Sequence, residues 1–169
     1  MLYRGRIMAR HVFFSFHYER DIWRASQVRN SWVTKEDQKA AGFWDAASWE
    51  EVKKKGEKAT KRWIDKQLEG TSVTVVLVGT ETTTRKYVDY EIEQSHKKGN
   101  GLLAIYIHQL KNQDKKAEKK GENPFDSLTA TVDGKRNKFP EFSTYDWVDD
   151  DGYKNIGAWI EKAAKKAGR

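Results

Sequence analysis

Two stretches of this 169-residue chain leave it little freedom in how to fold. Val73-Thr74-Val75-Val76-Leu77-Val78 and Leu102-Leu103-Ala104-Ile105-Tyr106-Ile107 are nearly unbroken runs of β-branched and large apolar residues. Gly79 closes the first and Gly101 precedes the second. Such runs suit strands covered on both faces in a parallel sheet, because a strand with one wet face alternates instead. Parallel neighbours need a crossover, so the segment between them should be a helix. Residues 85–96 fit: Val88, Ile92 and Ser95 share a face at ~3.6 residues per turn. Glu91 falls on the same face, whereas Asp89 and Glu93 point elsewhere. An ionised acid turned inward costs several kcal/mol to desolvate without a partner. Glu91 therefore calls for an explanation.

The rest of the chain supplies the partners for these strands. Residues 12–16, Val-Phe-Phe-Ser-Phe, read as a first strand, followed by the polar turn His17-Tyr18-Glu19-Arg20-Asp21. Asp21 is placed to cap the next helix, in which Ile22, Ala25, Val28 and Trp32 recur at helical spacing. A short edge strand is predicted near residues 42–44. Ser48 and Glu51 form a capping box opening a helix with Val52, Ala59, Trp63 and Leu68 inward, stopped by Gly70. Residues 111–122 lose periodicity and read as a charged surface insertion. Alternation over 129–139 around Asp133-Gly134 predicts a hairpin. Residues 145–148 predict a last short strand, and Ile156, Trp159, Ile160 and Ala163 a closing helix. The division is an N-terminal extension at 1–8 and one domain at 9–169, with a charged, hairpin-bearing insertion at 111–139. Alternating strands and helices make this an α/β protein, an open doubly wound parallel sheet with helices on both faces.

Charge narrows the function classes. The net charge is +7, and the lysines gather at 53–55, 111–120 and 162–166. These read as solvated surface, with contact to an anionic ligand or to nucleic acid as the weaker alternative, and no nucleic-acid motif supports the latter. The absence of cysteine excludes disulfides, thiolate zinc sites and a Cys nucleophile. The first ten residues are basic without an apolar core, unlike a signal peptide, and no apolar run approaches the ~20 residues that span a bilayer. A soluble cytoplasmic protein is the expectation.

Ligands of doubly wound sheets bind beyond the carboxyl ends of the strands, here the loops 15–21, 42–48 and 79–84. The commoner occupants of the architecture are disfavoured. The central strand ends Val78-Gly79-Thr80, without the aspartate of a phosphate-accepting receiver. His17-Tyr18-Glu19-Arg20 is too bulky and charged for a flavodoxin phosphate loop, and no GxGxxG follows strand one. The four histidines show no metal-ligand spacing, and Ser15 lacks a nucleophile-elbow context. His17, at the mouth of strand one, reads equally as a ligand contact or a structural residue. Trp44 and Asp45 read equally as pocket lining or as a core-capping tryptophan and a turn aspartate. For Glu91 the plain alternative is a carboxylate tied to an arginine or to backbone donors.

The strand-one block Val12-Phe13-Phe14-Ser15-Phe16-His17-Tyr18-Glu19-Arg20-Asp21 and the block Tyr87-Val88-Asp89-Tyr90-Glu91-Ile92-Glu93-Gln94-Ser95 after the Gly79-Thr80 turn resemble the bacterial TIR-like family. Within it, the chain is similar to the TIR proteins of the Thoeris anti-phage defence system, from about residue 9 to 164. The resemblance implies a flavodoxin-like TIR fold and cleavage of the nicotinamide–ribose bond of NAD by one glutamate, matched by Glu91. It implies NAD as substrate with no other cofactor and no metal. The implied product is a cyclic ADP-ribose isomer made after phage sensing; some relatives attach ADP-ribose to another small molecule. That signal would activate a partner effector that depletes NAD. A phage protein as trigger and assembly into homo-oligomers are further implications. Ser15, Phe16, His17, Trp44, Asp45 and Thr80 are the corresponding substrate-binding candidates. A non-enzymatic TIR-like module acting by homotypic docking is the alternative, which expects a cation pinned on Glu91 and a filled cleft.

Overall fold

The structure, a computed structural model, describes residues 10–34, 38–43, 46–132 and 134–169. Trp44, Asp45, the 1–8 extension and Asp133 of the hairpin turn lie outside the described residues. The chain runs β1 (His11–Ser15), α1 (Tyr18–Val33), β2 (Lys39–Ala41), α2 (Ala46–Lys54), α3 (Glu57–Leu68) and β3 (Val73–Val78). It continues with α4 (Lys86–Lys98), β4 (Gly101–Tyr106), β5 (Thr129–Val132), β6 (Lys135–Lys138), β7 (Ser143–Asp146) and α5 (Gly152–Lys166). Five strands form a parallel sheet in the order β2-β1-β3-β4-β7, and β5 and β6 form a separate antiparallel hairpin. Without the hairpin this is the flavodoxin-like strand order, whose switch point lies between β1 and β3.

Alternation along the strands sorts the core into layers. Val73, Val75, Leu77, Leu103 and Ile105 face α1 and α5, meeting Ala25, Val28, Ile156 and Ile160. Val76, Val78, Leu102 and Ala104 face the other way onto Val88 and Ile92 of α4. Beside them Phe13 packs with Trp49, Ile64 and Leu68 of α2 and α3. All six residues of β3 are buried, as a central parallel strand requires. Burying each such aliphatic side chain contributes about 1.5–3 kcal/mol. The buried residues of α4 are Val88, Glu91, Ile92 and Ser95, the face predicted from spacing.

Local expectations are corrected in four places. Asp21 does not cap α1: His17 does, its Nδ1 accepting from Arg20 N at 3.3 Å, while Asp21 lies fully buried inside the helix. The helix assigned to a Ser48–Glu51 capping box starts at Ala46, which puts Ser48 within its first turn. It then breaks at Gly56, whose φ of 95° a helix cannot accommodate, so α2 and α3 are two helices. The edge strand β2 lies at Lys39–Ala41, slightly earlier than predicted.

The fourth correction concerns the insertion. Residues 107–122 are irregular, yet they form a strap fastened to α1 and to the turn after β3. Arg24, 2 % exposed, donates through Nε to Leu110 O at 2.8 Å and through Nη2 to Lys116 O at 2.9 Å. Glu118 accepts from Thr80 N at 3.2 Å and from Arg20 Nη2 at 2.5 Å. Gly121 lies against the carbonyls of Gly79 and Thr80, where a Cβ would collide with backbone. Lysines made the segment look wholly solvated; its carbonyls and one glutamate hold it down.

Candidate functional site

Ser15 ends β1 at the sheet's switch point, and its Oγ donates to Glu91 Oε2 at 2.5 Å. That bond joins the carboxyl end of the sheet to the second turn of α4. It is possible because α4 starts directly after a short 3-10 turn, Thr82–Thr84, and packs across β1 and β3. Further along the same face, Thr74 and Ser95 share a 2.7 Å hydroxyl contact, and Ser95 Oγ donates to Glu91 O at 2.6 Å. These buried polar groups therefore satisfy one another, while the Ser15 hydrogen bond is the one that orients the Glu91 carboxylate.

Glu91 is 2 % exposed, and burial pushes its carboxyl up to about 7, opposed by the charge of Arg85 and by the Ser15 hydrogen bond. No ion pair to Glu91 forms among the described residues. Arg85 occupies the N-cap position of α4, donates through Nη1 to Phe16 O, and lies 4.8 Å over the Trp49 ring. Trp49 is 2 % exposed, packs against Tyr18 and Tyr87, and donates through Nε1 to Glu19 Oε1 at 2.9 Å. The docking-module alternative thus finds its enclosed carboxylate but no cation directly on it.

The candidates divide clearly. Ser15 and Glu91 are brought into contact. Phe16 contributes its carbonyl to Arg85, while its ring is buried against Tyr18 and Phe43. His17 is a helix cap 3.5 Å from Glu19 Oε2, and burial holds its imidazole below the usual range. Thr80 is turned to the strap, its Oγ1 donating to Lys119 O and its N–H to Glu118. Sequence reasoning missed Arg85 and Trp49. A signal for Arg85 existed: a cation at a helix N-terminus opposes the helix dipole and needs another reason for its position. Among the described residues, no group of three or more His, Asp or Glu side chains is placed to hold a metal ion, and no helix is long and apolar enough to cross a membrane.

A lone buried carboxylate, aimed by a hydroxyl beside a guanidinium and an indole, can stabilise a developing positive charge and accept hydrogen bonds from hydroxyls. Among the described residues, no second acid is hydrogen-bonded to it in the manner of a paired-carboxylate site. Residues 13–112 match the family model described as "Thoeris protein ThsB, TIR-like domain". The chain is 40 % identical, over 90 % of its own length and 100 % of the relative's, to a Bacillus cereus (strain MSX-D12) protein named "Putative cyclic ADP-D-ribose synthase ThsB1".

Proposed function

The chain belongs to the Thoeris ThsB TIR-like family, and from that premise we propose that it cleaves the nicotinamide–ribose bond of NAD to make a cyclic ADP-ribose-type signal in anti-phage defence, with Glu91 as its catalytic carboxylate. The observation that carries this reading is Glu91 itself, buried on an otherwise apolar helix face and tied to Ser15 at the end of β1.

The chemistry asks little more of the protein. Nicotinamide leaves a cationic pyridinium as a neutral molecule, so its departure needs no general acid. The ribose left behind carries oxocarbenium character, which a fixed anion in a dry site stabilises far better than water does. Glu91 must be ionised to do so, and with its carboxyl pushed up to about 7 the active fraction rises through neutral pH. Enclosure also bears on product choice. Capture of the ribose cation by the substrate's own adenine competes with capture by water, and a carboxylate 2 % exposed excludes water from its surroundings. NAD must displace part of that enclosure to enter, which makes opening a step at which a trigger can act.

Incubating the purified protein with NAD and separating products by chromatography tests the proposal, with Glu91→Gln in parallel and extracts of phage-infected cells as source of a trigger. Wild type is expected to release nicotinamide and a cyclic product in at least one condition, and Glu91→Gln in none. Equal turnover by both would remove Glu91 from the mechanism.

A further inference from the structure

Arg85 is the residue of this site whose chemistry the reaction above leaves unused. It stands at the N-terminus of α4, where the helix dipole disfavours a cation. Tertiary contacts hold it there nonetheless: the Phe16 carbonyl takes Nη1, and the Trp49 ring lies under the guanidinium. Its Nη2 is buried without a hydrogen-bond partner. A buried guanidinium nitrogen left unpaired is costly, so the position is maintained against two local penalties. It bonds Phe16, the residue next to the Ser15 that holds Glu91, so its charge stands by the carboxylate and favours the anion with no ion pair between the two.

We propose that Arg85 is a positioning residue that favours the ionised form of the Glu91 carboxylate inside the closed site without pairing with it. A directly paired glutamate would have to break its ion pair before meeting a sugar cation, which wastes part of its charge. A cation at one remove favours the anion and leaves the oxygen that Ser15 does not hold for the substrate. Trp49 sets that separation by stacking under the guanidinium, and the Phe16 carbonyl fixes its direction.

Other charges around α4 do not serve this purpose. On α4 itself, Asp89 and Glu93 are off the buried face, and Lys86 pairs with Glu57. From α3, Lys61 pairs with Glu57, and Asp65 accepts from Tyr90. β3 carries no titratable group, and Tyr106 of β4 interacts with Asn123 and Asp126. Beyond β1, His17 and Glu19 both feel Arg85 but do not act on Glu91.

The inference rests on Glu91 being the working carboxylate, so the test reads Glu91 directly as well as through activity. Carbon-13 NMR follows the Glu91 carboxyl across pH in the full chain, the signal being assigned by its loss in Glu91→Gln. Arg85→Gln is expected to raise the midpoint by about one pH unit and to move the acidic limb of kcat/KM for NAD with it, roughly a tenfold loss below the limb. The loss should largely disappear at high pH, and Arg85→Lys should restore most of the midpoint. Trp49→Phe, which loosens the stacking, should shift it the same way by less, and serves if Arg85→Gln does not fold. An unmoved midpoint, or a rise in KM that is uniform across pH, overturns the proposal. A shifted midpoint in a protein whose NAD cleavage survives Glu91→Gln would keep the Arg85–Glu91 coupling and remove the catalytic reading instead.

Discussion

Asp21 and Glu91 are both buried acids at the carboxyl edge of the sheet, and the protein treats them in opposite ways. Asp21 is fully buried, and its carboxyl is raised to about 6, by burial first and then by nearby Glu118. It meets Arg24 Nη1 at 3.0 Å, and Arg24 also lies 3.2 Å from Glu118, which in turn holds Arg20. The remaining Arg24 donors go to strap carbonyls. Gly79 lets the Asp21 carboxylate sit against the backbone at the end of β3. Asp21 Oδ2 is left there without a hydrogen-bond partner, while Asp21 Oδ1, Arg24, Glu118 and Arg20 fasten chain to chain. Glu91 is raised further, to about 7, and receives one hydroxyl and the field of a cation that does not touch it. Two similar desolvation costs thus give different returns: one acid is absorbed into architecture, the other is kept available. A buried carboxylate with few ties is the better candidate for chemistry.

Several substitutions would sharpen or break this contrast. The largest effect is expected from Glu91→Gln, a loss of at least about 10³ in NAD cleavage by product chromatography. The same variant should be more stable than wild type. In the fold Glu91 titrates near 7 against an ordinary 4.5, so the native state holds a proton that the unfolded chain has lost between those values. Stability from this group therefore falls as pH rises through that window and is flat above it. Urea melts at about pH 8 should show Glu91→Gln stabilised by about 3 kcal/mol, shrinking towards zero near pH 4.5. A destabilised variant at both pH values would put Glu91 in the same class as Asp21.

Arg24→Met probes the other side. It strands the Asp21 carboxylate and leaves the carbonyls of Leu110 and Lys116 unpaired, with an expected loss of about 3–5 kcal/mol in the same melts. Ser15→Ala should cost the ionised form of Glu91 a hydrogen bond of about 1.5 kcal/mol, raising its titration midpoint by roughly a unit and slowing NAD cleavage about fivefold near neutrality and about tenfold at lower pH. Smallest of the series, Glu118→Gln weakens the Arg20 contact at the strap's edge and should remove about 1 kcal/mol, seen as faster amide exchange at Thr80.

What could be read from the chain alone was what local periodicity encodes. The β-branched run of β3 and the inward face of α4 follow from residues a few positions apart, so Glu91 was found by spacing. The pairing of Ser15 with Glu91 needed the parallel topology to bring β1 beside β3. Arg85 escaped because its partner Phe16 lies 69 positions away and the Trp49 ring comes from a third element. Asp21 looked like a cap because its type and position suit one; Arg24 and burial overrode that preference. The kink at Gly56 was hidden by charged residues that suit either a continuous helix or a break. Thr80 sat in the right loop, but the strap, built from carbonyls that no side-chain pattern announces, claimed both its donors.

The strap's attachment to Arg24 has a consequence for the order in which this molecule assembles. Arg24 closes loops of 86 and 92 residues when it takes Leu110 O and Lys116 O. Closures that long carry a large entropy cost and are made only after shorter-range pairings such as β3 with β4 have supplied a surface. The strap should therefore be a late addition to the folding nucleus. It follows that Arg24 substitutions should accelerate unfolding while leaving the folding rate almost unchanged, a signature separable in a chevron plot.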